Sequence, residues 1–169
     1  METLHAPWRI QYILGPKKPD AGDGSLFSRI ARSSEDVANL VVRRARCSFV
    51  VLNRYPYNGG HLMVVPYREV AGLEQLTSEE MLELMQGLRD CERVLGQVMR
   101  PDGFNIGINL GKVAGAGIQE HLHIHVVPRW NGDTNFMPVV AGVTVMPEAL
   151  EALAAKLREA FAALPPLNS

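Results

Sequence analysis

Three features of the 169-residue sequence predict an α+β fold with one long helix and a C-terminal helix. His121, His123 and His125 alternate with apolar residues, and this two-residue period is typical of a β-strand. Residues 81–99 instead place apolar side chains at the period of an amphipathic helix. Short apolar runs bounded by glycine and proline indicate further buried strands.

Five segments have the pattern of a strand, and a sixth is a further candidate. The five are 37–43, 47–53, 61–66, 104–110 and 121–130, and the sixth is 139–145. The alternation in 104–110 predicts four core residues, Phe104, Ile106, Ile108 and Leu110, with Asn105, Gly107 and Asn109 on the opposite face. In the histidine segment, all three imidazoles are expected on one face, with Leu122, Ile124 and Val126 in the core. Antiparallel pairing of these two segments would place Asn109 close to His121.

Two helices have recognisable starts. Thr77 and Glu80 have the spacing of a capping box, so the long helix is expected to begin there and to stop at Pro101. Its apolar stripe includes Met81 and Met85, which we expect in the core. The C-terminal helix is expected to open at Pro147-Glu148 and to run to about Leu164.

The composition and net charge of the chain restrict the ligands and the cellular compartment that we expect for this protein. The formal net charge is −1, which predicts no general attraction to nucleic acid or to a membrane surface. Cys47 and Cys91 lie far apart in apolar segments, so we expect buried free thiols. The first residues lack a basic and then apolar leader, and a cytoplasmic location is the expectation. One domain is expected over 25–164, between an arm at 1–24 and a tail at 165–169.

Three histidines on one strand face are compatible with a metal site, a buried structural cluster, or nucleophilic and acid–base chemistry. The absence of a nearby cysteine pair or of a carboxylate on that face disfavours a metal. A structural cluster would need many buried hydrogen-bond partners. A glycine-rich loop at 111–119 leads into the histidines, and backbone N–H groups in such a loop can approach a phosphate closely. Its spacing fits neither a Walker A loop nor a dinucleotide fingerprint.

The run His121-Leu122-His123-Ile124-His125-Val126-Val127 resembles the signature of the histidine triad superfamily. The segment 52–66, with Asn53, Pro56 and Gly59-Gly60-His61, is similar to a conserved segment of that family, as are Asn109-Leu110-Gly111 and the loop at 114–117. Together with residues 128–136, these segments look most like the branch that contains bacterial diadenosine tetraphosphate phosphorylases. The resemblance covers roughly residues 25–150 and implies a mainly antiparallel sheet of about five strands in a homodimer.

The resemblance also implies a role for each matching residue. His123 would be the nucleophile that attacks an α-phosphate and forms a nucleotidyl-histidine intermediate. His121 would contact the leaving phosphate or support that geometry, and His125 would support the nucleophile and the bound phosphate or ribose. His61 would orient His123 indirectly, without contacting the substrate. The nucleotide-binding residues would be Leu52 for the base, Asn53 for the ribose, Asn109 for the α-phosphate, and the loop from Gly115 through Gly117 to Gln119 for the phosphates.

The chain departs from the family pattern at two places. Many relatives carry Cys-x-x-Cys where this chain has Ser25 and Ser28, and those cysteines help to bind structural zinc. Because serine hydroxyls replace thiolates poorly, we expect no metal here, and no cofactor. Gly117 stands where many relatives have a side-chain donor. The absence of that donor affects how the phosphates would be held and whether the phosphorylase preference applies.

The expected function is therefore phosphorolysis of dinucleoside polyphosphates, giving ADP and ATP from diadenosine tetraphosphate and phosphate. One alternative is a hydrolase of dinucleoside polyphosphates or nucleoside phosphoramidates that releases AMP. A further alternative is a non-catalytic nucleotide-binding module. The expected partners are a nucleotide and a second copy of the chain, with no nucleic acid and no membrane.

Overall fold

The structure is a computed structural model that describes residues 24–133 and 148–167. Almost all of the expected N-terminal arm and the candidate strand at 139–145 lie outside these ranges, and so does the end of the tail. Within the described residues, no helix is both long enough and apolar enough to cross a membrane.

The described strands form one five-stranded sheet, and every pairing in it is antiparallel. The strands are β1 (Val41–Arg44), β2 (Ser48–Leu52), β3 (Leu62–Pro66), β4 (Gly103–Ile108) and β5 (Ile124–Arg129). Their order across the sheet is β1-β2-β3-β5-β4. β5, which contains His125, is therefore an interior strand that pairs with β3 on one side and β4 on the other. The predicted α+β class and its antiparallel sheet are confirmed.

Three α-helices accompany the sheet in the described ranges: α1 (Leu26–Arg32), α2 (Ser78–Met99) and α3 (Leu150–Ala162). The capping box of α2 is present, because the Thr77 side chain accepts from the Glu80 N–H and the Glu80 carboxylate accepts from the Thr77 N–H. α1 was not predicted as a helix. Its N-cap is Ser25, whose hydroxyl oxygen accepts from the Ser28 N–H. β1 begins at Val41 rather than at 37 because residues 36–40 form a turn.

Several residues predicted in the core lie at the surface of this chain. In β4, Ile106 is 47% exposed and Leu110, just beyond the strand, is 43% exposed. β4 is the edge strand, so no neighbour covers its outer side within the described part of the chain. In α2, Met81 and Met85 are 42% and 62% exposed, because they lie at the margin of the face that the helix buries. That buried face carries Leu84, Leu88, Cys91, Val94 and Leu95.

Candidate active site

The three triad histidines lie at the start of β5, and all of them are buried. His121 and His123 precede the first residue of the strand and His125 lies within it. Leu122, Ile124 and Val126 are buried in the core, as the alternation predicted. The rings of His123 and His125 are neighbours, with centroids 4.9 Å apart and an interplanar angle of 77°.

The ring of His123 has one nitrogen fixed by the backbone. Its Nδ1 lies 2.8 Å from the carbonyl oxygen of His121. A carbonyl oxygen only accepts hydrogen bonds, so Nδ1 carries the proton. In the neutral ring, Nε2 therefore holds the lone pair. The His123 ring lines a cavity, which gives that lone pair access to a ligand.

A chain of two hydrogen bonds fixes the proton positions of the neighbouring pair, His61 and His125. The backbone N–H of Tyr57 donates to Nδ1 of His61 at 3.1 Å, so the proton of the neutral His61 ring is on Nε2. That Nε2 donates to Nδ1 of His125 at 2.9 Å, which leaves the proton of a neutral His125 on its own Nε2. The Tyr57 ring stacks on His61 with centroids 4.7 Å apart. The direct partner of His61 is thus His125, whose ring in turn neighbours that of His123.

The turn that leads into His61 depends on Gly60. Its φ is +77°, in the left-handed region that favours glycine. A Cβ at this position would lie 2.5 Å from Sδ of Met99 and 3.2 Å from Cγ of Pro128. Both the backbone conformation and the lack of space therefore require glycine just before His61.

His121 faces away from the cavity into a group of polar side chains. Its Nε2 donates to the carbonyl oxygen of Pro66 at 2.8 Å, and its Nδ1 accepts from the Ser25 hydroxyl at 2.7 Å. Burial lowers the pKa of His121, which favours the neutral ring that these contacts require. The Ser28 hydroxyl donates to Oε2 of Glu69, and the Ser25 N–H donates to the same oxygen at 2.9 Å.

The cavity beside the triad has a volume of about 360 Å³. The predicted site residues on its wall are Leu52, Asn53, Gly115, Gly117, His123 and His125. Other predicted residues, namely His61, His121, Asn109 and Gln119, are not on the wall. The wall also includes residues that sequence reasoning missed, which are Leu26, Phe27, Ile30, Asn39, Val51, Arg54, Tyr55, Met63 and Ile118. The apolar residues at 25–30 indicated a buried segment where α1 lies. The segment is too short for its sequence to identify it as a helix.

The glycine-rich loop forms the wall near the histidines. Gly115 has a φ of +88°, and its N–H donates to the Lys112 carbonyl, so this amide closes a turn. The Ala116 N–H donates to the Gly111 carbonyl. These two amides are therefore engaged inside the loop. The N–H groups of residues 117–119 make no backbone hydrogen bond among the described residues.

Asn109 lies one residue beyond the last pair of the β4–β5 ladder. That pair joins Ile108 to Ile124, and Gly107 lies opposite His125. Continuing this register by one residue places Asn109 opposite His123, rather than beside His121 as the sequence suggested. Asn109 therefore lies across from His123 but outside the cavity wall.

The residues where relatives hold structural zinc do not fit that metal in this chain. The donors present are two serine hydroxyls, one carboxylate and one imidazole, and they hydrogen-bond to one another. Zinc in structural sites prefers thiolate and imidazole ligands in a tetrahedron. Among the residues the structure describes, no group of three or more His, Cys, Asp or Glu side chains is arranged to hold a metal. The expectation of no zinc stays a prediction, which this donor set supports.

Comparisons with known proteins agree with this geometry. A family model described as HIT domain matches residues 34–132. The AP-4-A phosphorylase of Mycobacterium tuberculosis is 46% identical over 155 residues, which cover 89% of this chain and 79% of the relative. An asymmetrical bis(5'-nucleosyl)-tetraphosphatase of Schizosaccharomyces pombe is 34% identical over 97 residues, 57% of this chain and 53% of that protein.

A solved structure has the same fold. The crystal structure of a zinc-bound histidine triad family protein from Mycobacterium smegmatis superimposes with a TM-score of 0.66 at 26% identity, covering 82% of this chain and 94% of that one. Because the family model matches more than half of the sequence and a relative is 46% identical over most of it, the chain belongs to the HIT domain family, the histidine triad proteins.

Proposed function

We propose that this protein is a nucleotidyltransferase that cleaves dinucleoside polyphosphates with inorganic phosphate. Diadenosine tetraphosphate and phosphate would give ADP and ATP. The single observation that carries this proposal is the His123 ring, which is fixed at Nδ1 and carries its lone pair on Nε2 beside a cavity of nucleotide-binding size. The AP-4-A phosphorylase relative, 46% identical over most of this chain, supports the choice of substrate.

The reaction proceeds in two displacements at the same phosphorus atom. In the first, Nε2 of His123 bonds to an α-phosphorus, and the bond from that phosphorus to the bridging oxygen breaks, so that ATP leaves with the electron pair. In the second, an oxygen of inorganic phosphate bonds to the phosphorus and the P–N bond breaks. The electron pair returns to Nε2, and ADP leaves.

The surrounding groups stabilise charge in both steps. When Nε2 forms its new bond, the ring becomes cationic, and the hydrogen bond from Nδ1 to the His121 carbonyl stabilises it. The proton on Nε2 of His125 and the loop amides from Gly117 to Gln119 are donors for the phosphoryl oxygens. Both ring nitrogens of His121 are engaged elsewhere, so of its two expected roles we assign it support of the geometry.

The cavity has a wall suited to each part of a nucleotide. Leu52 and the α1 residues Leu26 and Ile30 form an apolar surface for the base. Asn53 also lines the cavity, with its Nδ2 3.3 Å from Nδ1 of His61, and would contact the ribose. Asn109, just beyond the end of β4, would contact the α-phosphate.

The second candidate is a hydrolase that uses water in the second displacement and releases AMP. The asymmetrical tetraphosphatase relative favours it, and so does Gly117, which offers no side-chain donor to hold an incoming phosphate. Both candidates share the nucleotidyl-histidine intermediate and differ only in the acceptor.

Product analysis separates the two candidates. The protein is incubated with diadenosine tetraphosphate, with and without inorganic phosphate, and the nucleotides are resolved by chromatography. The proposal expects ADP together with ATP, and formation of ADP only when phosphate is present. AMP at the same rate with or without phosphate would identify the hydrolase. Absence of turnover with phosphoanhydride or phosphoramidate substrates would leave a nucleotide-binding module.

We also propose that the protein acts as a homodimer in the cytoplasm. The outer edge of β4 has no strand partner within the described residues, and Ile106 on that strand is 47% exposed. α2 likewise exposes apolar side chains, with Met85 62% exposed. An uncovered strand edge beside apolar side chains favours pairing with a second chain. Cys47 and Cys91, unpaired and with one of them buried, suit a reducing compartment.

A further inference from the structure

Four polar side chains form a connected cluster behind the histidine triad, which we call the Glu69 cluster: Ser25, Ser28, Glu69 and His121. They come from three separate parts of the chain. Ser25 and Ser28 belong to the start of α1, Glu69 follows β3, and His121 precedes β5. The nucleotidyl-transfer steps above use neither the serines nor Glu69, so the cluster has no assigned task.

The direction of each hydrogen bond in the cluster can be derived from its two ends. Glu69 is a carboxylate and accepts only, so the Ser28 hydroxyl donates to it. At the other end the Pro66 carbonyl also accepts only, so Nε2 of His121 donates to it and Nδ1 is the acceptor. The Ser25 hydroxyl then donates to Nδ1 at 2.7 Å, which is shorter than its 3.2 Å distance to the Ser28 hydroxyl.

Glu69 also holds Ser25 directly. Its Oε2 accepts the Ser25 N–H at 2.9 Å together with the Ser28 hydroxyl. These hydrogen bonds lower the pKa of Glu69, the one from the Ser25 backbone most strongly, and so keep it anionic near neutral pH. The carboxylate therefore determines where the Ser25 hydroxyl lies, and that hydroxyl is the group that donates to His121.

His121 in turn transmits its position to the reactive ring. Its side chain is held at both nitrogens and is fully buried, and its backbone carbonyl accepts from Nδ1 of His123 at 2.8 Å. The Phe27 ring lies against both imidazoles, with centroids 5.6 Å from His121 and 5.0 Å from His123. A shift of His121 thus moves the carbonyl that aims Nε2 of His123. Small errors in the placement of a reacting group can cost large factors in rate.

We propose that Glu69 is a positioning residue for His123, acting through Ser25 and Ser28 on His121. This proposal rests on the proposed function of His123 as the nucleophile. Glu69 touches no substrate in this account. It holds the neutral His121 ring in one orientation, and the His121 carbonyl then aims the nucleophilic nitrogen at the α-phosphorus.

The same contacts could serve only to anchor α1, whose residues Leu26 and Ile30 line the cavity. The two roles differ in what a substitution changes. Loss of an anchor would loosen the nucleotide pocket and raise KM. Loss of positioning would leave binding intact and lower kcat, because the misaimed ring still allows the nucleotide to bind.

The kinetic test uses Glu69→Ala and Glu69→Gln in the full chain, with Glu74→Gln as the matched control. Glu74 is an exposed carboxylate on the same connection after β3 and lies outside the cluster. We expect Glu69→Ala to lower kcat by roughly tenfold or more, with KM unchanged within about twofold. Glu69→Gln retains an oxygen that can accept both hydrogen bonds, so it should keep more of the activity, and Glu74→Gln should match wild type. An unchanged kcat, or a higher KM with unchanged kcat, would overturn the proposal.

A second measurement needs no activity. NMR of isotope-labelled histidine reports which imidazole nitrogen carries the proton. We expect His121 of the wild type to be protonated on Nε2 only, and Glu69→Ala to shift the signals of His121 and His123 but not those of His61. If the signals of His123 do not shift in that variant, Glu69 does not position His123. If the wild type turns over no dinucleoside polyphosphate but the His123 signals do respond, the proposed function fails while the structural link stands.

Discussion

Nδ1 of His123 donates a hydrogen bond of 2.8 Å to the backbone carbonyl oxygen of His121, two residues earlier in the chain. This contact determines which nitrogen of His123 can react. Because the proton stays on Nδ1, the lone pair is on Nε2, and the ring faces the cavity. In the proposed first displacement, this acceptor, already in place, would stabilise the positive charge that forms on the ring.

The hydrogen bond from His61 to His125 should matter for rate more than for binding. In His61→Phe, Nδ1 of His125 loses its donor, so His125 can adopt the other tautomer and no longer present a proton on Nε2. We expect kcat to fall by roughly a hundredfold with little change in KM. His61→Gln, whose amide can donate, should recover part of the loss. Steady-state kinetics of both variants check this, and equal activity of His61→Phe and wild type would refute it.

Substitution of Gly60 should destabilise the protein. In Gly60→Ala, the new Cβ meets Sδ of Met99, and the positive φ is unfavourable for alanine. We expect the free energy of unfolding to fall by about 2–4 kcal/mol in urea denaturation. Gly96→Ala is the control, because a Cβ there meets nothing within 4 Å and alanine favours a helix interior. The control should be as stable as wild type or more stable. Equal stability of the two variants would contradict the argument.

Glu80 should make stability depend on acid pH. The hydrogen bond from Arg68 and the cap at Thr77 lower the pKa of this carboxyl from its ordinary 4.5 to about 2. A carboxyl with a lower pKa in the folded state contributes stability that is complete above its unfolded pKa. That contribution is lost as the pH falls from about 4.5 towards 2.

The check is urea denaturation at a series of acid pH values. In Glu80→Gln, the free energy of unfolding should be lower than that of wild type at pH 7, and the difference should shrink as the pH falls. Glu79→Gln removes a carboxylate that is 60% exposed, and it should keep the pH dependence of wild type. A difference between Glu80→Gln and wild type that stays constant with pH would rule out this role of the carboxyl.

The edge of β4 should control assembly. Ile106→Glu places a charge on the exposed strand that we propose pairs with a second chain, so we expect a dimer to become a monomer in analytical ultracentrifugation. Val37→Glu is the control, because Val37 is 67% exposed in the turn before β1, away from that edge. The control should stay dimeric. A monomeric wild type, or an Ile106→Glu variant that remains dimeric, would refute the proposed interface.

The parts of this structure that the sequence predicted are those determined by local pattern. The strand that begins after His123 and the capping box at Thr77 depend on patterns within one element, and both are present. The expected single face for all three imidazoles is not observed, because His121 lies before the strand and faces away from the cavity. α1 was missed because it has seven residues and its cap at Ser25 is held by Glu69 and His121, which are 44 and 96 residues away. Contacts between residues so far apart in the chain leave no local pattern in the sequence.

The solvent exposure of side chains was predicted less well, because it depends on where each strand lies in the sheet. The alternation of 104–110 identified a strand, but not that β4 would lie at the edge of the sheet with Ile106 exposed. The residue to which His61 hydrogen-bonds could not be predicted from the sequence either. It depends on the pairing of β3 with β5, in which Met63 lies opposite His125.

Removal of the nucleophile should separate binding from turnover. In His123→Asn, the side chain lacks the nitrogen that attacks phosphorus but keeps a similar size. We expect the rate of turnover to fall by roughly a thousandfold or more, while nucleotide binding, measured by calorimetry, stays close to that of wild type. Full activity in this variant would exclude His123 as the nucleophile.

The central claim is that a nucleotidyl group becomes bonded to His123, and trapping that intermediate tests it most directly. Wild-type protein is mixed with diadenosine tetraphosphate without phosphate, quenched rapidly in base, and analysed by mass spectrometry of the intact chain and its peptides. The account predicts a mass increase of one adenylyl group, located on the peptide that contains His123 and absent from His123→Asn. An adduct on another residue, or product formation by wild type with no adduct at any time, would contradict it.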